Sequence, residues 1–252
     1  MADTTTTTSS SDAIVFYDIA SGPRSTRYAL NFKRAHFVTQ WVDLADVTST
    51  RKSLGAEPVR FHPNGEHFYT LPAIRDPSAN DTVVADSFDI AVYLDKKYPD
   101  APSLFRNNAS SGIGLYASFN AHMDTIFTPG AALGCEDFPF NPATAAQCQA
   151  EFCRRIGAQT WDALFVRGEA RTKMLKSFRT SLGEVAKYFR FSEGPFIGGK
   201  EAEYADIIIG GWLMMYSHTV PEWEEMRTWH GGFGAGCMMR WSRIEEHGDA
   251  YN

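Results

Sequence analysis

The chain has 252 residues, of which 44% are hydrophobic and 21% are charged, as is usual for a globular protein with one large domain or two smaller ones. Its formal net charge of −6 offers no basic surface for nucleic acid. The sequence contains neither a secretory signal nor an apolar run of about 20 residues. We therefore expect a cytoplasmic protein with no membrane segment.

The cysteines do not have the spacing of a metal site. They are Cys135, Cys148, Cys153 and Cys237. A reducing compartment disfavours disulfides, so we expect four free thiols and no bound metal.

The first part of the chain predicts alternating strands and helices. Residues 1–12 are almost all Thr, Ser and Asp, a composition typical of a disordered tail. The apolar run Ala13–Tyr17 predicts a buried strand, and Ala20-Ser21-Gly22-Pro23 predicts a turn after it. A helix should follow, with Tyr28, Ala29 and Phe32 on its apolar face and Arg27, Lys33 and Arg34 largely off it.

The following elements complete a first domain over residues 13–102. We predict strands at 37–42, 69–77 and 82–85, a polar helix at 47–54, and a helix that starts at Ser87 and ends near Tyr98-Pro99. Residues 62–65 are predicted to form a turn. The order is βαβαββα, which indicates a mixed sheet with helices on its faces.

Residues 109–252 predict an all-helical domain, because apolar residues recur at three and four positions without strand-like alternation. Helices are expected at 109–127, 145–165 and 222–246, along Met174–Phe189, and at Ile207–Tyr216, which is apolar nearly all round and should be buried. The fold class is thus α/β plus all-α.

Several motifs resemble those of the cytosolic glutathione transferases. Leu71-Pro72 enters the third strand of the predicted sheet and Asp86-Ser87 opens the third helix. The stretches at 17–19, 26–33, 69–72 and 86–95 are similar to the fungal FuA class, which is itself similar to bacterial lignin β-etherases. The resemblance covers about residues 13–245. It implies a thioredoxin-like glutathione-binding domain, a C-terminal helical bundle, a homodimer and a detoxifying transferase.

The Leu71-Pro72 pair has two interpretations. An isolated X-Pro bond is usually trans, and a proline at the start of a strand cannot donate to the ladder. The resemblance implies a cis bond, which leaves the backbone of Leu71 free to pair with the cysteinyl unit of glutathione.

The Asp86-Ser87 pair also has two interpretations, which are compatible. Either residue can serve as the N-cap of the helix. The resemblance implies that Ser87 and the free amides bind the γ-glutamyl carboxylate of glutathione, while Asp86 pairs with its ammonium group.

The resemblance places a catalytic hydroxyl in the turn after the first strand, where it would stabilise the glutathione thiolate. Ser21, at the strand exit, is the first choice. Ser25 can cap the helix or be catalytic, and Tyr17 is a third candidate. The turn holds no cysteine, which disfavours a cysteine-based reductase. Arg24 either adds positive charge beside the thiolate or is a solvated surface residue.

A second-substrate pocket is predicted where the helical domain faces this turn. Tyr116, Phe119 and Met123 form an apolar stripe with His122 nearby, although such a stripe can equally be plain core. The irregular residues 128–142 could cover an aromatic-binding pocket.

Two functions are compatible with these motifs. One is an enzyme that conjugates glutathione to small aromatic electrophiles or cleaves their ethers. The other is a ligandin-type binder of aromatic compounds, such as wood-derived polyphenols, with little or no turnover. The short turn favours the second, because FuA proteins have a longer turn with a Ser-Pro pair flanked by tryptophans.

Overall fold

A computed structural model describes residues 12–19, 24–61, 65–106 and 110–232. The predicted tail up to residue 11, the turn residues 20–23 with Ser21, and the predicted helix beyond residue 232 lie outside the described residues. Within the described ranges, no helix combines the length and apolarity that a bilayer crossing requires.

The main sheet consists of β1 (Ile14–Asp18), β2 (Phe37–Trp41), β5 (Ala73–Asp76) and β6 (Thr82–Ala85). These strands lie in the order β2-β1-β5-β6. β1 runs parallel to β2 and antiparallel to β5, and β5 runs antiparallel to β6. A separate hairpin consists of β3 (Arg60–Phe61) and β4 (His67–Phe68).

The helices named within the described residues include some that belong to the sheet and others that follow it. They are α1 (Ser25–Phe32), α2 (Val47–Ser53), α3 (Ser87–Lys97), α4 (Ser110–Phe127), α5 (Ala145–Ile156), α6 (Gly168–Phe189), α7 (Tyr204–Thr219) and α8 (Trp223–Met226). Short 3₁₀ helices lie at Leu44–Asp46, Pro77–Ala79, Thr128–Asp137 and Asp162–Leu164. The predicted fold class, a thioredoxin-like domain followed by a helical domain, is confirmed.

Three sequence-based expectations about these elements are wrong. The strand predicted from Tyr69 begins only at Ala73, because Pro72 has no N–H and arginine side chains bind the carbonyls of Tyr69 and Thr70. The helix predicted over 145–165 ends at Ile156, where Gly157 adopts a left-handed conformation with φ of 73°. The helix predicted over 222–246 is interrupted within the described residues, because α8 ends at Met226. The two short strands β3 and β4 were not predicted, since strands of two residues show no alternation, and they flank the residues predicted to form a turn.

The buried helix α7 contacts the start of α1 at very close range. A Cβ added to Gly211 would lie 2.6 Å from the backbone nitrogen of Ser25. The Arg24 N–H donates to the Gly211 carbonyl at 3.3 Å. Glycine at position 211 therefore allows the start of α1 to pack directly against α7. The burial predicted for α7 from its apolar sequence is confirmed.

Lys33 and Arg27 are buried, contrary to their predicted place off the apolar face of α1. The Lys33 ammonium donates to Asp95 Oδ1 at 2.9 Å and to the carbonyl of Pro102 at 2.9 Å. α1 is covered by α3 on one side and by α7 on another, so little of its surface remains for solvent. The Lys33 contacts fix α1 to α3 and to the segment after it.

Candidate functional site

The sheet topology brings the sequence motifs together. β1, β2 and β6 end at the same edge of the sheet at which β5 begins, because β5 alone runs in the opposite direction. We call this the site edge. It carries Leu71-Pro72 before β5 and Asp86-Ser87 after β6. The Leu71-Pro72 bond is cis, and the Pro72 carbonyl accepts from the Asp86 N–H at 3.4 Å.

Asp86 caps α3. Its side chain accepts a hydrogen bond from the Phe88 N–H at 2.9 Å, and its φ of 77° lies in a region that non-glycine residues rarely adopt. The capping role predicted for this pair is thus confirmed for Asp86. Ser87 becomes the first helical residue, beside the phenol of buried Tyr204, whose pKa burial raises.

Two carboxylates that we did not predict as site residues, Asp89 and Asp124, lie within electrostatic range of Asp86. Burial and the neighbouring charge of Asp86 raise the pKa of Asp89, and the same two causes raise the pKa of Asp124 on α4. A cluster of acidic side chains at this position suits a positively charged group. Asp89 lies in the first turn of α3, where an acidic residue is common for its effect on the helix dipole alone, and the sequence around Asp124 carries no signal.

Arg51 on α2 is a further residue that sequence reasoning missed. It is fully buried, and its guanidinium donates to the carbonyl of Thr70 at 2.7 Å and to that of Glu57. Burial lowers its pKa, and the charge of Asp86 acts in the opposite direction. Arg51 and Asp86 both line a cavity of about 560 Å³ beside the site edge.

The predicted catalytic turn is described only in part. Ser21 lies outside the described residues. Ser25 is the first residue of α1, with Arg24 in the cap position, so the expectation that Ser25 caps the helix is wrong. Tyr17 pairs with Ala73 in the sheet and is buried. The catalytic roles of these hydroxyls remain predictions.

Asp18, the last residue of β1, is a buried carboxyl directly before this turn. Burial raises its pKa to about 6, against the opposing effects of Arg27, the Ile19 N–H and Arg24. Its Oδ1 accepts from the Ile19 N–H at 2.9 Å. Arg24 therefore lies within electrostatic range of a carboxyl that ionises near neutral pH.

The four residues predicted for a second-substrate pocket make contacts within the helical part of the chain and its linker. The ring centroids of Tyr116 and Phe105 are 5.1 Å apart, and those of Phe119 and Tyr188 are 5.7 Å apart. His122 Nε2 is 3.1 Å from the Tyr188 hydroxyl, and Met123 is fully buried. These contacts fit the alternative interpretation, helix packing, and a ligand role remains a prediction.

An open cleft of about 760 Å³ lies at the same edge of the sheet, next to the end of β1. It is lined by Ile19, Gln40, Trp41, Val42, Asp43, Leu44, Asp46, Ser49, Thr50, Pro139, Phe140, Asn141 and Pro142. The Trp41 side chain is half exposed, and the Arg27 guanidinium lies 5.0 Å from its ring centroid. Thr144 Oγ1 donates to Asp43 Oδ2 at 2.6 Å, which connects the two walls.

The described residues contain no group of three His, Cys, Asp or Glu side chains arranged for a metal ion. Cys135, Cys148 and Cys153 are buried free thiols, and Cys237 lies outside the described residues.

Family models match both parts of the chain. Residues 23–97 match the model described as "Glutathione S-transferase, N-terminal domain", and residues 123–244 match "Glutathione S-transferase, C-terminal domain". Among curated proteins, a "Glutathione S-transferase-like protein ustS" of Aspergillus flavus is 33% identical over 93 residues. That alignment spans 35% of this chain and only 33% of the relative.

Solved fungal structures match nearly the whole fold. A glutathione S-transferase of Ceriporiopsis subvermispora, solved in complex with glutathione, superposes with a TM-score of 0.80 and 30% identity over 92% of this chain and 98% of that one. The glutathione transferase GSTFuA2 of Phanerochaete chrysosporium gives a TM-score of 0.80 and 27% identity over the same shares.

Proposed function

This chain belongs to the glutathione S-transferase family, and on that premise we propose that it activates the thiol of glutathione for attack on small aromatic electrophiles. The observation that carries the proposal is the site edge, where the cis Leu71-Pro72 bond and the start of α3 at Asp86-Ser87 are adjacent. A tripeptide with a carboxylate, an ammonium group and a peptide backbone matches these groups one by one.

Each part of glutathione has a counterpart at this edge. The backbone of Leu71 pairs with the cysteinyl unit as a short added strand would. Ser87 and the free amides of α3 bind the γ-glutamyl carboxylate, which also interacts favourably with the helix dipole. Asp86 binds the ammonium group, with Asp89 and Asp124 adding negative charge nearby.

The chemistry requires a thiolate. A hydroxyl of the turn, with Ser21 as first choice before Ser25 and Tyr17, donates to the sulfur, and Arg24 and the start of α1 add positive potential. The thiol pKa falls, so that more of the anion is present at neutral pH. The thiolate then forms a C–S bond to the electrophilic carbon, and the leaving group, a halide or an aryloxide in an ether, departs with its electron pair.

The aromatic substrate is proposed to bind in the cleft beside β1. Trp41 and Phe140 both line this cleft and offer aromatic surface, and aromatic rings prefer offset or edge-to-face contacts with such partners. Tyr116, Phe119, His122 and Met123 remain the alternative lining for this substrate.

Steady-state kinetics with glutathione and either chlorodinitrobenzene or a phenacyl-coumarin ether tests the enzymatic proposal. We expect turnover that falls at least tenfold in Ser21→Ala. Ser25→Ala and Tyr17→Phe identify the hydroxyl if Ser21→Ala is silent. Ser118→Ala, which removes an exposed hydroxyl that donates to the Gly114 carbonyl within α4, is the matched control. Turnover unchanged in Ser21→Ala, Ser25→Ala and Tyr17→Phe would contradict hydroxyl activation.

A ligandin-type binder of aromatic compounds, such as wood-derived polyphenols, is the second candidate. The large open cleft with its half-exposed Trp41 favours it. Quenching of tryptophan fluorescence by polyphenols, measured in parallel with turnover, separates the two. Tight quenching without turnover on either electrophile would establish the binder.

We further propose that the protein is a cytoplasmic homodimer that serves in detoxification, with residues 13–102 and 109–252 as its two units. Light scattering of the purified chain tests the dimer, since a mass near twice 28.1 kDa is expected. A mass of one chain at micromolar concentration would contradict it.

A further inference from the structure

We propose that Arg51 and Arg155 form a clamp, with one arginine from each domain, that positions the backbone of Leu71 for glutathione. Both act as positioning residues, because they hold the chain that would touch glutathione. The proposal rests on the proposed binding of glutathione at the site edge.

The first half of the clamp comes from α2. Arg51 is fully buried and donates to the carbonyl of Thr70 at 2.7 Å, the residue directly before Leu71. The same guanidinium donates to the carbonyl of Glu57. One side chain thus connects the loop after α2 to the segment that leads into the cis bond.

The second half comes from α5 in the helical domain. Arg155 donates to the carbonyl of Tyr69 at 2.7 Å, and its Nε donates to Glu151 Oε1 at 2.8 Å. The guanidinium carbon lies 5.3 Å from the centroid of the Phe68 ring. Only 9% of the Arg155 side chain is exposed, so the hydrogen bond between Arg155 and the Tyr69 carbonyl, which joins the two domains, is shielded from solvent.

The two contacts together fix the orientation of the segment. Tyr69 and Thr70 lie outside the sheet, which starts at Ala73. Their carbonyls therefore depend on other donors, and each receives a hydrogen bond from a charged guanidinium, which is stronger than a bond between neutral groups. Successive carbonyls of an extended chain point in opposite directions, so arginines from two different elements resist rotation of the segment about its long axis.

Leu71 remains available within this arrangement. Its carbonyl accepts from Thr70 Oγ1 at 3.1 Å, and a carbonyl has a second lone pair for another donor. If the clamp were released, Leu71 would sample other orientations and glutathione would have to order it on binding. The clamp therefore acts on glutathione affinity and leaves the step at the sulfur unchanged.

Calorimetric titration of glutathione and steady-state kinetics of Arg155→Met test this. We expect the Kd and the KM for glutathione to rise about tenfold, as for the loss of one charge-assisted hydrogen bond. The kcat at saturating glutathione and the KM for the electrophile should stay within about twofold. Arg155→Lys and Arg51→Lys should have Kd values for glutathione between those of the wild type and Arg155→Met, since a lysine supplies a charged donor without the paired N–H groups of the guanidinium.

Arg154→Met is the matched control, because its neighbouring guanidinium is half exposed and pairs with Glu151 and Glu66. It should leave glutathione affinity unchanged. A variant Arg155→Met with wild-type affinity, or with a lowered melting temperature as its sole defect, would overturn the clamp.

Hydrogen exchange separates failure of the clamp from failure of the proposed function. Without any ligand, the amides of residues 69–71 should exchange faster in Arg155→Met and Arg155→Lys than in the wild type and Arg154→Met. If the wild type does not bind glutathione, the function fails and this measurement still decides the clamp. Equal exchange in all four proteins would refute it.

Discussion

The two walls of the proposed site are built in different ways. The polar wall, with Leu71-Pro72 and Asp86-Ser87, consists of pairs of consecutive residues whose geometry is set locally by a cis bond and a helix cap. The apolar wall brings together Ile19, directly after β1, Trp41 of β2 and Phe140 of a segment of the helical domain. Local geometry can be recognised in a sequence, whereas a wall assembled by docking two domains depends on contacts between distant residues.

Asp18 is buried at the end of β1, next to the apolar wall residue Ile19, and its substitution should have the largest effect. Its pKa is raised to about 6 in the folded protein, against about 3.9 in an unfolded chain. Between these values the folded state holds a proton that the unfolded state releases, so the free energy of unfolding should fall as pH rises from about 4 to about 6. The total contribution is about 3 kcal/mol.

Asp18→Asn should remove this slope, because an amide does not titrate and can still accept from the Ile19 N–H. Urea unfolding at pH 4.5, 6.0 and 7.5 measures it. Asp46→Asn, which changes an exposed carboxyl near α2, is the control and should keep the wild-type slope. Parallel pH profiles for Asp18→Asn and the wild type would rule out the proposed ionisation.

Ser87→Ala tests the polar wall by itself. The loss of a hydrogen bond to the γ-glutamyl carboxylate should weaken glutathione binding by about 2 kcal/mol, or about thirtyfold in Kd. Aromatic ligands should bind as before, since Ser87 does not line the cleft. Calorimetry with glutathione and fluorescence quenching with a polyphenol give the two readings. Equal weakening of both ligands would mean that the walls are not separate.

Gly211→Ala tests how firmly the start of α1 is held on the helical domain. The new Cβ would lie 2.6 Å from the Ser25 nitrogen, and such overpacking costs about 1–3 kcal/mol. We expect a lower melting temperature and lower turnover. Gly114→Ala on α4 has open space around its Cβ and should stabilise the protein by about 0.5–1 kcal/mol. Stabilisation by both substitutions would disprove the close contact.

Phe140→Ala tests the apolar wall and should have the smallest effect. Removing one partly exposed ring should weaken an aromatic ligand by about 1 kcal/mol, or about fivefold in Kd. Glutathione affinity should not change. Phe191→Ala, which removes an exposed ring elsewhere on the surface, serves as the control. An effect of Phe140→Ala on glutathione and not on the aromatic ligand would reverse the assignment of the walls.

The same contrast explains how much the sequence could predict. The strand over 82–85 was predicted with the bounds that the structure has, and Asp86 as a cap follows from residue type and position. Arg51 could not be found in this way, because a cation within a polar helix looks the same whether it is exposed or buried. Its burial results from backbone carbonyls that Pro72 and the late start of β5 leave without ladder partners.

Lys33 sets a condition for cutting the chain between its domains. Its buried ammonium is neutralised by Asp95 and also donates to the carbonyl of Pro102. A fragment that stops at the end of α3 would keep the ion pair and lose that carbonyl. Water would then have to replace the carbonyl as a hydrogen-bond acceptor for the buried ammonium. An expressed N-terminal fragment should therefore extend beyond Pro102.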